Sequence, residues 1–333
     1  MNKAASQNNA PNNKPLTVPD TLLAAAELWH VEGDTITLQT GLYDLDCPLR
    51  GTADGLRLTQ GMGLAGMAWK VATPSIVTDF SVAAADRPLA AAAAGLGAAV
   101  LIPQFKAGQL TSVLVLFLRG GTRAVGAAEL WTGRSGSFEL AMGQAWHTGK
   151  ALQRFANISK HVHFPQGAGL PGRVWENGRP ELVPDVSETK MFLRSSGDGG
   201  KELSVGLGLP LIAGIKLQAV LLLLSARTGP IARVHEIWEP DPDDPDQLVR
   251  RQGTYGLLQD FADASAKLSF SIQGKGEGLP GRAWATRQAV LIDDLDHAGL
   301  PRRETAHAAG LTHGLAIPTV VADTVRSVVV LLW

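Results

Sequence analysis

Gly167, Gly169 and Gly172 stand close together in "GAGLPGRVWENG", just ahead of the apolar segment "ELV". Glycines so spaced can open a helix whose free N–H groups hold an anion, the chemistry of a phosphate loop. A Walker loop would add Gly-Lys-Ser/Thr, and no lysine follows these glycines in that way. A dinucleotide-binding unit would put parallel strands on either side and a ribose-binding acid about twenty residues on. Asp185 lies near that distance. The other reading is structural: the glycines make a tight turn and let a short helix sit close to a sheet.

The loop occurs three times. Gly61, Gly63 and Gly66 in "GMGLAGMAW", and Gly276, Gly278 and Gly281 in "GEGLPGRAW", match it almost position for position. "AAELW" at 25–29 and at 127–131, and "HEIW" at 235–238, open the repeats. Near the end of each, an apolar run reaches Pro103, Pro210 or Pro318 and is followed by "LTSVLVLFL", "LQAVLLLLS" or "VRSVVVLLW". The repeats are roughly 105 residues long, the size of one small domain. A dinucleotide site does not fit units that small, so the glycines are read as structural.

Other side chains in the repeats could still bind a ligand. Arg173 and Arg282 lie at the start of the glycine-led helix, where the first repeat has Met67, and could hold a carboxylate or phosphate or make a surface salt bridge. Trp175 and Trp284 follow on the same helix, and Asp185 and Asp293 come after it. Next come "MFLRSSGDGGKE", with Phe192 and Arg194, and "HAGLPRRETAHAAG", with Arg302 and Arg303. The matching segment of the first repeat, "VAAADRPLAAAAAGLG", is nearly all alanine, so that repeat is expected to be structural.

Three further features carry little chemistry. His161 and His163 would share one face of a strand, but no nearby cysteine or carboxylate completes a metal site. The single cysteine, Cys47, can neither form an internal disulfide nor resolve a sulfenic acid. "EPDPDDPDQ" lacks EF-hand spacing and is expected to be a hairpin loop. No metal site and no catalytic nucleophile or acid–base pair is expected.

The elements that must hold these residues follow from apolar periodicity. In the second repeat the order is strand, strand, strand ("HVHFPQG"), helix ("GLPGRVWENG"), strand ("ELVPDV"), helix or loop, strand, strand. Pro171 suits the first turn of that helix and Gly178 its exit. This order makes an antiparallel sheet with helices on its faces, an α+β unit. Six of the eight tryptophans fall at matched positions, Trp29, Trp131 and Trp238, and Trp69, Trp175 and Trp284, as core or pocket-wall residues. The expected division is a tail over 1–19, rich in Asn, Pro and Lys, and domains over 20–122, 123–230 and 231–333.

The composition bounds the partners. A formal net charge of −1 makes no electrostatic case for nucleic acid or an anionic membrane. The N-terminus lacks the apolar core of a signal peptide and the apolar runs are too short to span a bilayer, so a soluble, cytoplasmic protein is expected.

With Gly167, Gly169, Leu170, Gly172 and Trp175, then Pro180, Val183 and Asp185, then Gly206, Pro210 and "LQAVLLLLS", the second repeat resembles a GAF domain. The third matches at Gly276, Gly278, Leu279, Gly281, Trp284 and Asp293, and the first at Gly61, Gly63, Leu64, Gly66, Trp69 and Asp79. The resemblance covers about residues 20–333 and implies three tandem minimal GAF-like domains, each a sheet of about five to six strands with short helices. It also implies a small-molecule pocket walled by the glycine-led helix and closed by the variable segment. The chain departs from the family in leaving no room for long terminal helices, and its last strand ends at residue 333, which implies no attached output domain.

The expected function is a non-enzymatic sensory or regulatory protein that binds an unidentified small molecule through its second and third domains and signals to a separate partner. The alternative is a ligand-free scaffold. Sheet faces without terminal helices need cover from neighbouring repeats or another chain, so self-association is also expected.

Overall fold

The computed structural model describes residues 20–333 apart from 45–46, 48, 84–94, 122–123, 134–136, 151, 187–201, 274–275 and 297–299. Three six-stranded antiparallel sheets follow one another along the chain. The first is built from β1 (Leu23–Glu32), β2 (Thr35–Tyr43), β3 (Arg57–Leu58), β4 (Ser75–Val77), β5 (Leu96–Lys106) and β6 (Gln109–Arg119). The second comprises β7 (Gly126–Gly133), β8 (Glu139–His147), β9 (His163–Pro165), β10 (Glu181–Val183), β11 (Leu203–Ala213) and β12 (Lys216–Ala226). The third comprises β13 (Val234–Pro240), β14 (Gln247–Thr254), β15 (Ser269–Ser271), β16 (Val290–Ile292), β17 (Gly314–Val321) and β18 (Thr324–Leu332). In each, the first and last strands pair at the centre, giving the order β3-β2-β1-β6-β5-β4 and its two equivalents. The architecture is α+β, as expected.

The central strands are apolar at nearly every position because both faces of each sheet are buried. In β12, Leu221 and Leu223 point one way and Val220, Leu222 and Leu224 the other. The second set packs under the helices of its own unit. The first set enters one core shared by the whole chain, with Leu114, Leu116 and Leu118 of β6 and Val329 and Leu331 of β18. Each sheet thus presents its back to the other two.

The contacts between units run in a closed ring. β4 packs on β7 and β8, β10 packs on β13, and β16 returns to β1 and β2. Equivalent hydrogen bonds seal two of these seams: the Ile76 N–H donates to Gln144 Oε1 at 2.6 Å, and the Leu182 N–H donates to Gln252 Oε1 at 2.9 Å. At the third, the Ala289 N–H donates to Gln104 Oε1 at 3.0 Å. Pro103, Pro210 and Pro318 line one small cavity of about 50 Å³ between the three sheets. The sheet faces that lack terminal helices are therefore covered by neighbouring units of the same chain.

Two local expectations change. A helix not foreseen in the sequence, α2 (Gln153–Ser159), precedes β9, and its counterpart α4 (Gln259–Ala266) precedes β15. The one large side chain each helix buries is a single phenylalanine, Phe155 or Phe261, too sparse for a helical period to show. His161 lies in the turn after α2 while His163 is in β9, so the two imidazoles do not share a strand.

His235 of β13 is buried, accepts the Ala232 N–H at Nε2 (3.2 Å) and lies 2.9 Å from Thr254 Oγ1 through Nδ1. Burial pushes its pKa from 6.5 down to about 4. The unfolded chain therefore takes up a proton at a higher pH than the folded one, and the neutral ring's contribution is complete above pH 6.5 and lost as pH falls toward 4. About 3 kcal/mol of stability is expected to disappear over that window. Urea unfolding across the range should show it, and His235→Gln should flatten it.

Candidate functional site

The glycine-led helices α1 (Gly63–Val71), α3 (Gly169–Asn177) and α5 (Gly278–Thr286) lie across the outer face of each sheet. Gly167 has φ +81°, and its N–H donates to the Gly172 carbonyl at 2.9 Å, as Gly61 does to Gly66 at 2.8 Å. That N–H is spent inside the turn rather than offered to an anion. A Cβ on Gly172 would meet the Pro165 carbonyl oxygen at 2.2 Å, so the helix reaches its seat beside β9 only without one. Gly172→Ala is expected to cost about 2–3 kcal/mol by overpacking. At Gly281 the nearest atom, the Ser271 carbonyl oxygen, is 3.0 Å away, and Gly281→Ala should cost less in the same urea titration.

The arginines of these helices differ in use. Arg173 forks onto Glu181 of β10, with Nε and Nη2 at 2.6–3.0 Å from its carboxylate, both partners about a quarter exposed. Arg282 is half-buried on α5. Trp175 and Trp284 pack at the margins of their units' cores. Asp185 accepts from Arg227 Nη2 at 2.6 Å, and Asp293 lies beside His313 at 3.2 Å. Arg303 is exposed at the start of α6 (Arg303–Ala308). Phe192 and Arg194 lie outside the described residues. Of the charged residues singled out in the sequence, Arg302 has 9% of its side chain exposed and reaches the interior between sheet and helices.

What Arg302 meets there was not anticipated. Glu236 of β13 is fully buried, and its carboxylate accepts from Trp238 Nε1 at 2.9 Å, Tyr255 OH at 2.9 Å and the Arg302 guanidinium at 2.5 and 3.0 Å. The same arrangement opens the other two units. Glu27 accepts from Trp29 Nε1 at 2.9 Å and Tyr43 OH at 2.7 Å, and Glu129 from Trp131 Nε1 at 3.0 Å and His147 Nε2 at 2.9 Å. Both carboxylates are fully buried. A buried carboxylate is costly unless its oxygens are satisfied, and each of the three is held by bonds from side chains of its own unit. The first unit, expected to be structural, also carries the buried glutamate.

Local strand geometry explains the placement. Residues two apart on a strand share a face, so Glu-x-Trp sets carboxylate and indole side by side under the helices. In every unit the register with the next strand shifts just before the tryptophan, at Leu28/Trp29, Leu130/Trp131 and Ile237/Trp238. Such bulges re-aim side chains locally. The repeated Glu-x-Trp at 27–29, 129–131 and 236–238 was the available signal: a glutamate two residues before a tryptophan at the same place in the first strand of each unit.

Electrostatics in the third unit are set by this network. Burial by itself would raise the pKa of Glu236, but the Arg302 charge and the bonds from Arg302, Trp238 and Tyr255 outweigh it and hold the carboxyl below its ordinary value. Burial and the neighbouring carboxylate push the Tyr255 phenol up. Arg302 also donates to Ser265 Oγ and stacks over Phe261, its guanidinium carbon 4.5 Å from the ring centroid. The space left beside it, lined by Phe270, Leu279, Leu300 and Leu332 among others, is about 20 Å³, room for one water. Among the described residues no cluster of His, Cys, Asp or Glu could hold a metal ion, and no helix is long and apolar enough to cross a membrane.

No family model matches the chain, and no curated protein is similar to it. Among solved structures it is similar to the GAF domain of A. aeolicus nlh2 in an inactive state, at 18% identity and TM-score 0.23, over 30% of this chain and 57% of that one. It is similar to a GAF domain/HD domain protein from Geobacter sulfurreducens, at 19% and 0.25, over 31% and 63%. A third is free methionine-R-sulfoxide reductase from Neisseria meningitidis in complex with its substrate, at 15% and 0.23, over 32% and 53%. Each similarity spans about one unit of this chain and less than two thirds of the other protein. The expectation that the chain is not an enzyme is corrected here: several of the similar structures are free methionine-R-sulfoxide reductases, which are enzymes. Three six-stranded antiparallel sheets, each crossed on its outer face by a glycine-led helix, make the chain three GAF-like folds in tandem.

Proposed function

We propose that the chain is a sensory or regulatory protein that binds a small molecule between the sheet and helices of its GAF-like domains and passes the change to a separate partner. One observation carries the reading: a fully buried glutamate, bonded to a tryptophan and to a tyrosine or histidine, stands at the same place in all three units. A core built only for stability gains little from a buried carboxylate, because apolar side chains of similar volume serve as well or better. The same place in three units gives one chain three binding positions, with the closed ring of contacts to couple them.

The scaffold reading draws on a different observation. In the third unit the remaining space holds about one water, and the shared core already ties the units together.

Native mass spectrometry of the protein purified from its own host separates the two. An added mass of a few hundred daltons is expected, and its loss should lower the melting temperature. A bare mass whose stability is unchanged by exhaustive dialysis would overturn the small-molecule reading in favour of the scaffold.

A further inference from the structure

The interior of the third unit already holds a cation, supplied by the chain itself. Arg302 caps the short helix α6 from outside the sheet, and its guanidinium reaches Glu236 through both terminal nitrogens, Nη1 to Oε1 at 2.5 Å and Nη2 to Oε2 at 3.0 Å. Its central carbon lies over the Phe261 ring, 4.5 Å from the centroid, and 5.9 Å from the ring centroid of Trp238. A carboxylate fork with an aromatic face is how a planar guanidinium is recognised, and an ammonium would use only part of it. The groups that make this recognition, Glu236, Trp238, Tyr255, Ser265 and Phe261, stand on β13, just after β14 and on α4. None belongs to the segment that carries Arg302.

If Arg302 withdrew, those groups would remain as a cage around a buried carboxylate that lacks its cation. We propose that the cage of the third unit is a guanidinium receptor whose resident occupant is Arg302, and that a free alkylguanidine competes with that side chain for Glu236. The inference rests on the small-molecule reading above and names its ligand class. Displacement would free the α6 segment, giving the bound state a shape distinct from the closed one. Because Arg302 is tethered, it competes at a millimolar effective concentration, so the wild type responds only to millimolar guanidine and a variant without the side chain responds at lower concentration. The first two units carry Arg87 and Arg194 in the matching segments of sequence, outside the described residues.

The test is chemical rescue of Arg302→Ala. Thermal unfolding is followed with methylguanidinium chloride, methylammonium chloride or sodium chloride at equal ionic strength, up to about 10 mM. Methylguanidinium is expected to raise the melting temperature saturably by about 2 °C or more, methylammonium by much less, and neither to act on the double variant Glu236→Gln/Arg302→Ala. Equal melting temperatures in the three salts would overturn the proposal. Should Arg302→Ala not fold, the wild type serves: methylguanidinium should speed cleavage after the exposed Glu304 by a glutamate-specific protease several-fold over methylammonium, and equal rates would overturn it. Rescue together with a bare native mass would keep the cage and remove the sensor reading. A bound mass without rescue would remove the cage and keep the sensor.

Discussion

Replacing Glu236 with alanine is expected to cost the folded chain about 3–5 kcal/mol, one of the two largest single-site effects anticipated here. The reason is not the loss of the ion pair's attraction, much of which is offset by desolvation of both groups. It is that Arg302, with 9% of its side chain exposed, would be left as a buried charge with its carboxylate partner gone, and Trp238 and Tyr255 would lose their acceptor. Glu236→Gln keeps an acceptor oxygen and should cost less. A double replacement, Glu236→Leu with Arg302→Met, should cost far less than the sum of its parts, because neither charge is left behind. A double-mutant cycle by urea unfolding measures this, and additive costs would show that the two side chains act independently. The pH dependence has a definite sign. The folded-state pKa of Glu236 is lowered, so its contribution is present above the ordinary carboxylate range and lost as pH falls through the lowered folded value. Glu236→Gln should therefore shift the acid limb of the stability profile.

The second large effect concerns the shared core. Leu116, Leu221 and Val329 are fully or almost fully buried in three different units yet belong to one cluster. Leu116→Ala or Leu221→Ala should cost about 2–5 kcal/mol, and each should lower a single unfolding transition of the whole chain. Calorimetry is expected to show one peak whose calorimetric and van't Hoff enthalpies agree, despite three domains. Three peaks, or a mutation in one unit that moves only one of them, would show that the units fold independently. A polar replacement such as Leu221→Asp should prevent folding of all three units, since it puts a charge into the core that joins them.

Much of the architecture was legible from local chemistry. Repeated glycine loops, matched tryptophans and apolar strand pairs imply three α+β units, and the helix over "GLPGRVWENG" forms as Gly169–Asn177 with Gly178 at its exit. At Gly172 a Cβ would collide with backbone. The candidate site was legible only in part. Arg302 stood out by its place in the variable segment, but Arg173 and Asp185 turn out to meet Glu181 and Arg227. A charged residue's sequence position does not reveal which of several reachable partners it meets. Glu27, Glu129 and Glu236 do not stand out in the sequence, because a glutamate on a strand is ordinarily solvated and a single letter does not show which face will be covered.

The amino-acid order by itself determined the number of units, the succession of strands along each and the place of the glycine-led helices in that succession, because these depend on periodicity, turn chemistry and contacts within about a hundred residues. Only the tertiary structure decided that the three sheets close back to back around one core, which is why strands such as "AVLLLLS" are apolar on both faces. It alone decided which glutamates are buried and which arginine answers Glu236. Those outcomes depend on surfaces meeting across domain boundaries and on the cost of removing charge from water, and neither quantity exists until the chain has folded.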